Sequence, residues 1–455
     1  MRPINFALAL LTAAVLTACG GTGSSGGDQT LKTKFASQVS FGDSLADVGT
    51  YTVGAVKALG GGRYTINGDN TAKNSALTGK NWTELMAAQF GLPAPCPAQT
   101  GLNGDAATGF SVPVVNNAGC FGYAQGGARV TNPVGPNNRL TGSAIGALTV
   151  PVVTQVANHL AVSGGKFKGD EIVFVIAGGN DALIQLATIS AGATAEGAKV
   201  GAQTFATSLT TQLAAGATNP ATAAVAIGTA LQTEAARPGH TDASVVAAAV
   251  GAAAVQPNNS AVASVAVYGP MVSKAQADAT AAGNKAGADF AAAAGPAAVA
   301  AMATAGTELA NLVKTQIVGK GANYVAIGNL PDLAGAPAGK AQSASTQTLI
   351  AAMIAAFNDK LLTGVAGEPK ILVVDLYAIS HDQLSNPGPY GLTNTTTPAC
   401  GANPLGTSSL GCTINTVIAG DVSHFMFADD VHPTPFENLL IARYVSDQLV
   451  IKGWL

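Results

Sequence analysis

Two short motifs at opposite ends of the chain carry side chains of complementary chemistry. Near the start runs Phe41-Gly42-Asp43-Ser44-Leu45-Ala46-Asp47, which offers a serine in a Gly-Asp-Ser-Leu turn. Near the end runs Phe427-Ala428-Asp429-Asp430-Val431-His432-Pro433-Thr434, which offers an aspartate and a histidine three residues apart. A serine hydroxyl is a weak nucleophile near neutral pH and needs a base within hydrogen-bond reach. Imidazole is such a base, and a carboxylate beside it orients the ring and favours its charged form. On one tight turn the aspartate and histidine meet without help from distant parts of the fold. The two motifs therefore hold the nucleophile, base and orienting acid of a serine hydrolase, provided the fold brings residues 44 and 432 together. His159, His240 and His381 lack an acidic residue at this spacing, and with His424 they read as surface or structural histidines.

The elements that must position these groups are legible as alternating helix and strand. The apolar run 35–41 predicts a first strand ending at the Gly-Asp-Ser turn. Residues 170–177, 322–327 and 370–375 predict three more, and unbroken apolar runs of this kind suit a parallel sheet covered on both faces. Helical spacing marks 81–90, 151–162, 304–318 and 345–362, and Phe436, Leu439, Leu440, Ala442, Val445 and Leu449 suit a closing amphipathic helix. This alternation predicts an α/β domain, a doubly wound parallel sheet in three α/β/α layers. Sites in such sheets lie at the carboxyl ends of the strands, and Ser44, Asn180 and Asn329 each follow a predicted strand. Residues 91–120 read as loop. The stretch from about 186 to 295 departs from the pattern: it is rich in alanine, poor in charge, and broken by Pro220, Pro238 and Pro257. Alanine favours helix, so this stretch predicts an inserted helical cap or side lobe, with a short strand at 262–268.

Four blocks of the chain resemble those of the GDSL esterases and lipases, also called SGNH hydrolases. They are Gly42-Asp43-Ser44-Leu45, Gly122-Tyr123-Ala124-Gln125-Gly126-Gly127-Ala128-Arg129, Gly178-Gly179-Asn180-Asp181, and Asp429 through Thr434. The resemblance implies Ser44 as nucleophile, His432 as base, and Asp429 rather than Asp430 as the orienting acid. It also implies an oxyanion hole built from Ser44, from Gly127 with Gly126 as fallback, and from the side-chain amide of Asn180. Family members usually carry asparagine where this chain has Gly122. Further similar stretches at 328–333 and 375–394 extend the resemblance to about 35–180 and 304–455. It implies an SGNH-like hydrolase domain over 35–455, interrupted by the alanine-rich insertion. The implied activity is hydrolysis of carboxylic esters through an acyl-enzyme, with no metal or organic cofactor. Acyl transfer or phospholipid cleavage would use the same side chains. A non-catalytic surface binding protein would be expected to lack one of them, and all are filled. Short-chain esters, lipids, phospholipids and acetylated glycans all fall within the resemblance, and an apolar insert over the site would favour long acyl chains.

Composition narrows partners and location. Of 455 residues only 10% are charged, the net charge is −3, and no Lys/Arg cluster occurs, which argues against nucleic acid as a partner. Residues 1–18 read as an export signal whose apolar run is too short to span a membrane. Leu16-Thr17-Ala18-Cys19-Gly20 resembles the bacterial lipobox, which implies lipidation of Cys19. A Gly/Ser-rich tether over 19–34 would then hold the domain off the membrane. The expected location is the bacterial cell envelope, lipid-anchored at the outer membrane, with a small-molecule or lipid ester as substrate. Cys96, Cys120, Cys400 and Cys412 predict two disulfides in an exported chain. Three pairings are open. The local one, Cys96 with Cys120 and Cys400 with Cys412, is preferred, because each pair lies in a stretch of Gly, Pro and Asn that a staple would order.

Overall fold

The computed structural model describes residues 33–71, 73–74 and 78–455; the expected signal, Cys19 and most of the tether lie outside the described residues. Ile172–Ile176, all β-branched or aromatic, form a strand (β4) that is buried along its whole length. Such a run is stable only where both faces are covered. A four-stranded parallel sheet supplies that setting, in the order β1 (Gln38–Gly42), β4, β5 (Tyr324–Gly328), β6 (Ile371–Val374). The period of two along each strand sorts residues between two cores. Phe41, Val173, Val175, Val325 and Ile327 pack with helices α3 (Val152–Val162), α9 (Ala344–Val365) and the last turns of α7 (Val265–Leu312). Phe174, Ile176, Ala326, Leu372 and Val374 pack with α2 (Trp82–Gln89) and α11 (Pro435–Lys452). The fold is α/β and compatible with three layers.

Local signals start the flanking helices where the sheet needs them. Asn81 accepts from the Thr83 and Glu84 amides while Glu84 returns a bond to the Asn81 amide, a capping box that opens α2. Thr434 caps α11, with Pro435 in its first turn, so this helix begins directly after the His432 motif. Short helices α1 (Gly54–Ala58), α8 (Pro337–Lys340) and α10 (Leu376–Ser385) complete the periphery.

The register makes one level edge. Gly42, Ile176, Gly328 and Val374 stand side by side at the carboxyl ends of their strands. The four strands follow chain order across the sheet. The opposite direction of winding rests on a short parallel bridge at the outer side of β1. There Ser40 donates to the Phe121 carbonyl and Tyr123 donates to that of Ser40. The winding therefore reverses at β1, and the crevice at such a reversal is where ligands bind in open α/β sheets.

Two expectations need correction. Residues 91–120 are not all loop, because Gln99–Asn103 (β2) and Ser111–Asn116 (β3) form an antiparallel hairpin. Its second strand is mostly exposed, so it carries no buried alternation to read. Residues 262–268 are not a strand; they comprise the end of a 3-10 turn, Ser260–Ala263, and the start of α7. Val262 is buried in a helical core with no sheet to pair with, and short apolar runs do not distinguish the two states. Residues 304–318 are helical, as the end of α7 and the π turn Val313–Ile317 that follows.

The alanine-rich stretch is helical: α4 (Gly179–Ala214), α5 (Pro220–Ala235), α6 (Asp242–Ala254) and α7. Pro220 occupies the first turn of α5, where its missing N–H costs nothing. Positions 186 and 295 fall inside α4 and α7, so the arm is a prolongation of two helices rooted at the sheet. The two run antiparallel at backbone contact. A Cβ on Gly283 would lie 2.8 Å from the Gly197 carbonyl oxygen, and one on Gly287 3.0 Å from that of Ala193. Leu209, Leu213, Ile227, Leu231 and Val250 give the arm a small core of its own. Helix α7 with its following turns, and α9, are long and apolar enough to cross a membrane by length and composition. Helix α9 buries Ile350, Met353, Phe357 and Leu361 in the core beside the sheet.

Candidate active site

Ser44 stands two residues past the end of β1, on a turn that only glycine permits. Gly42 has φ +144, and a Cβ there would collide with the Ile176 carbonyl. The Gln155 side-chain amide pins this turn from α3, accepting from the Gly42 amide at 2.8 Å and donating to its carbonyl at 2.8 Å. Asp47 ties the turn to the second block. Its Oδ1 accepts from the Gly49 and Thr50 amides, and its Oδ2 accepts from the Gly126 amide at 2.9 Å.

The far motif meets this turn. His432 Nε2 lies 2.8 Å from Ser44 Oγ, and His432 Nδ1 lies 2.8 Å from each oxygen of Asp429. The residues sit 388 positions apart in the chain, and the sheet edge brings them into one hydrogen-bonded line. The turn itself is closed locally. Ala428 donates to the His432 carbonyl, and the amides of Val431 and His432 donate to Asp429 Oδ1. Asp429 Oδ2 also accepts from the Ser409 amide at 2.8 Å. Burial would raise the Asp429 carboxyl, but the His432 charge and the bonds from His432 and Ser409 outweigh it. The group is held well below the usual carboxylate range. Asp430 is exposed and its carbonyl accepts from the Ala338 amide.

The remaining block residues converge on the same edge. Asn180 lies in the first turn of α4, buried, and donates one side-chain hydrogen to the Ala128 carbonyl at 2.8 Å. Its neighbour Asp181 pairs with Arg129 at 2.8 Å and accepts from the Val130 amide, which locks the start of α4 to the second block. Gly127 has φ +81, and a Cβ there would strike the Pro136 carbonyl. Asp43 is buried beneath the serine. Burial pushes its carboxyl up to about 7, against the Leu45 amide bond and the His432 charge that pull it down.

Sequence reasoning missed two contributors. Tyr64 is buried with its ring 4.7 Å from the imidazole of His432, centre to centre. Ser409 reaches Asp429 from within the loop that Cys400 and Cys412 close. Neither has a fixed spacing from the motifs, so no local signal could have found them. Both disulfides take the local pairing, Cys96–Cys120 and Cys400–Cys412. His381 is exposed, and its Nδ1 meets Asp332 Oδ2 at 2.7 Å, a partner supplied by a distant turn. His159 is buried among Phe41, Phe121, Tyr123 and Phe167, and burial pulls its pKa down to about 4. His424 stacks on Phe436 and bonds the Gly391 carbonyl.

A hydroxyl, an imidazole and an ionised carboxylate in this line can move one proton off the hydroxyl as it attacks an electrophile. No protein-family model matches the chain. Over 86 residues, 19% of its length, it is 34% identical to a GDSL esterase/lipase of Arabidopsis thaliana. Over 80 residues, 17% of its length, it is 31% identical to the GDSL esterase/lipase APG of the same plant. Each match covers 23% of the relative, so the chain spans about a quarter of the length of these curated proteins.

Proposed function

We propose that the chain is a serine-dependent carboxylic-ester hydrolase. The observation that carries this reading is the unbroken line from Ser44 Oγ through His432 to Asp429. Ser44 Oγ attacks the ester carbonyl as His432 Nε2 takes its proton. The same proton then passes to the leaving alcohol, and the acyl group stays on Ser44. Water attacks the acyl-enzyme with His432 again as base, and the acid departs. Asp429 keeps the imidazole in the tautomer whose Nε2 is free to accept, and stabilises the imidazolium that forms.

Three groups are proposed to receive the oxyanion: the amides of Ser44 and Gly127 and the side-chain amide of Asn180. An asparagine NH2 has two hydrogens, and the bond to Ala128 uses one. Gly127 is preferred over Gly126 because the Gly126 amide is already taken by Asp47. With an alcohol in place of water the same side chains would transfer the acyl group.

The cell-envelope location belongs to this proposal too. Its support is the Leu16-Thr17-Ala18-Cys19-Gly20 sequence and the presence of two disulfides, which persist in oxidising compartments. Cys19→Ser should move the protein from the membrane to the soluble fraction of the expressing cell. Purified protein should hydrolyse p-nitrophenyl butyrate, and Ser44→Ala should abolish that turnover. Equal rates for the two proteins would end the assignment.

A further inference from the structure

A groove of about 1480 Å³ runs along the arm, walled by α4, α7 and the start of α9. On α4 the wall extends from Ala182 to Ala202, which at 1.5 Å per residue is about 30 Å. Its inner end is next to the chemistry. Ala182 and Leu183 follow Asn180 by two and three residues, and Val431, which precedes His432, lines the same space. Among the described residues no charged side chain lines it; the walls are Ala, Gly, Leu, Ile and Val with scattered hydroxyls and amides. A nucleotide, a phosphorylated headgroup or an acidic peptide would find no counter-charge there. An uncharged chain pays no such penalty, and its burial is favoured in proportion to apolar area.

Length points the same way. The hydrocarbon core of a bilayer, about 30 Å, holds two acyl chains end to end, so one chain needs about half of that. The groove accommodates it with room beyond.

We propose that this groove is the acyl-chain subsite, and that the substrates are esters of long-chain fatty acids. The proposal rests on the ester-hydrolase reading above. The ester carbonyl sits at Ser44, the chain lies outward along the seam of α4 and α7 past the start of α9, and the alcohol leaves on the other side. The chain stays in the groove while its carbonyl carbon is bonded to Ser44 Oγ, and leaves as the free acid after water adds.

Two measurements test this separately from catalysis. The fluorescent fatty acid cis-parinaric acid should bind the Ser44→Ala protein and be displaced by palmitate. Ala187→Trp and Ala292→Trp place an indole in the groove at exposed helix positions, where the fold tolerates it. Pushing even two methylenes back into water costs about tenfold. Each variant should therefore weaken parinarate binding, and lower the palmitate-to-butyrate ratio of kcat/KM for p-nitrophenyl esters, by at least about tenfold. Ala195→Trp, exposed on the same helix but outside the groove, should change neither. Failure of parinarate to bind, or equal behaviour of the groove variants and Ala195→Trp, would overturn the subsite. Binding that the groove variants weaken, with no ester turned over at any chain length, would keep the subsite and end the hydrolase reading.

Discussion

Asp429 serves more than the imidazole. Its two oxygens receive the Ser409, Val431 and His432 amides as well as His432 Nδ1, so one carboxylate closes the turn and anchors a second loop. Asp429→Asn should lower kcat for p-nitrophenyl butyrate by about 10³- to 10⁴-fold, because the amide favours the wrong imidazole tautomer. It should also lower Tm, since the backbone donors lose a charged acceptor. Asn180→Ala should behave differently, with kcat down about 100- to 1000-fold and KM nearly unchanged, because the oxyanion exists only after attack. A rise in KM with kcat intact would remove Asn180 from that role. At this scale Ser44, Asp429 and His432 were legible because their partners are near in sequence or sit at a strand end. Tyr64 and Ser409 were not, since each arrives by loop packing that leaves no local trace.

The elements divide in the same manner. Strands β4, β5 and β6 were readable because burial on both faces demands unbroken apolar runs, and β1, which buries Gln38 and Ser40, from its place before the Gly-Asp-Ser turn. The β2–β3 hairpin was hidden because water covers most of its second strand. In the arm, alanine marks helix but not helix ends, so the expected junctions at 186 and 295 fell inside α4 and α7. The disulfides allow a contrast between elements. Loss of Cys400–Cys412, in a Cys400→Ser/Cys412→Ser protein, should cost about 2–4 kcal/mol of stability. It should also lower kcat, because Ser409 lies inside that loop. The matching Cys96/Cys120 change should lower stability with less effect on kcat, and equal kcat losses would show that the second loop does not support Asp429. Gly283→Val should separate α4 from α7 at a cost of about 1–3 kcal/mol, detected as cleavage of the arm by protease before the sheet unfolds.

The molecule as a whole stores protons in its interior. Glu437 in α11 is buried, with one carboxyl oxygen lacking a partner among the described residues, and burial pushes it up to about 8. Asp43 is pushed up to about 7. Over the range between their ordinary values and these, the folded chain holds protons that the unfolded chain has released. Stability from these groups is therefore highest near pH 4 and falls as pH rises toward 8. Asp429 acts with the opposite sign, since its depressed carboxyl adds stability above the ordinary aspartate range that is lost on acidification. Glu437→Gln should raise Tm relative to the parent at pH 8.5 and leave it nearly unchanged at pH 4; a lower Tm at pH 8.5 would contradict the assignment. The facing of α4 on α7 has a different outcome. Ala193 stands against Gly287, Gly197 against Gly283 and Gly201 against Ala279, so a transverse cut anywhere along the pair leaves two ends that face each other. Whole turns can be added or removed in matched steps and rejoined by a tight bend, with the sheet edge untouched. Reach is thereby uncoupled from reactivity, and descendants of this scaffold can be lengthened or trimmed like a telescoping rule.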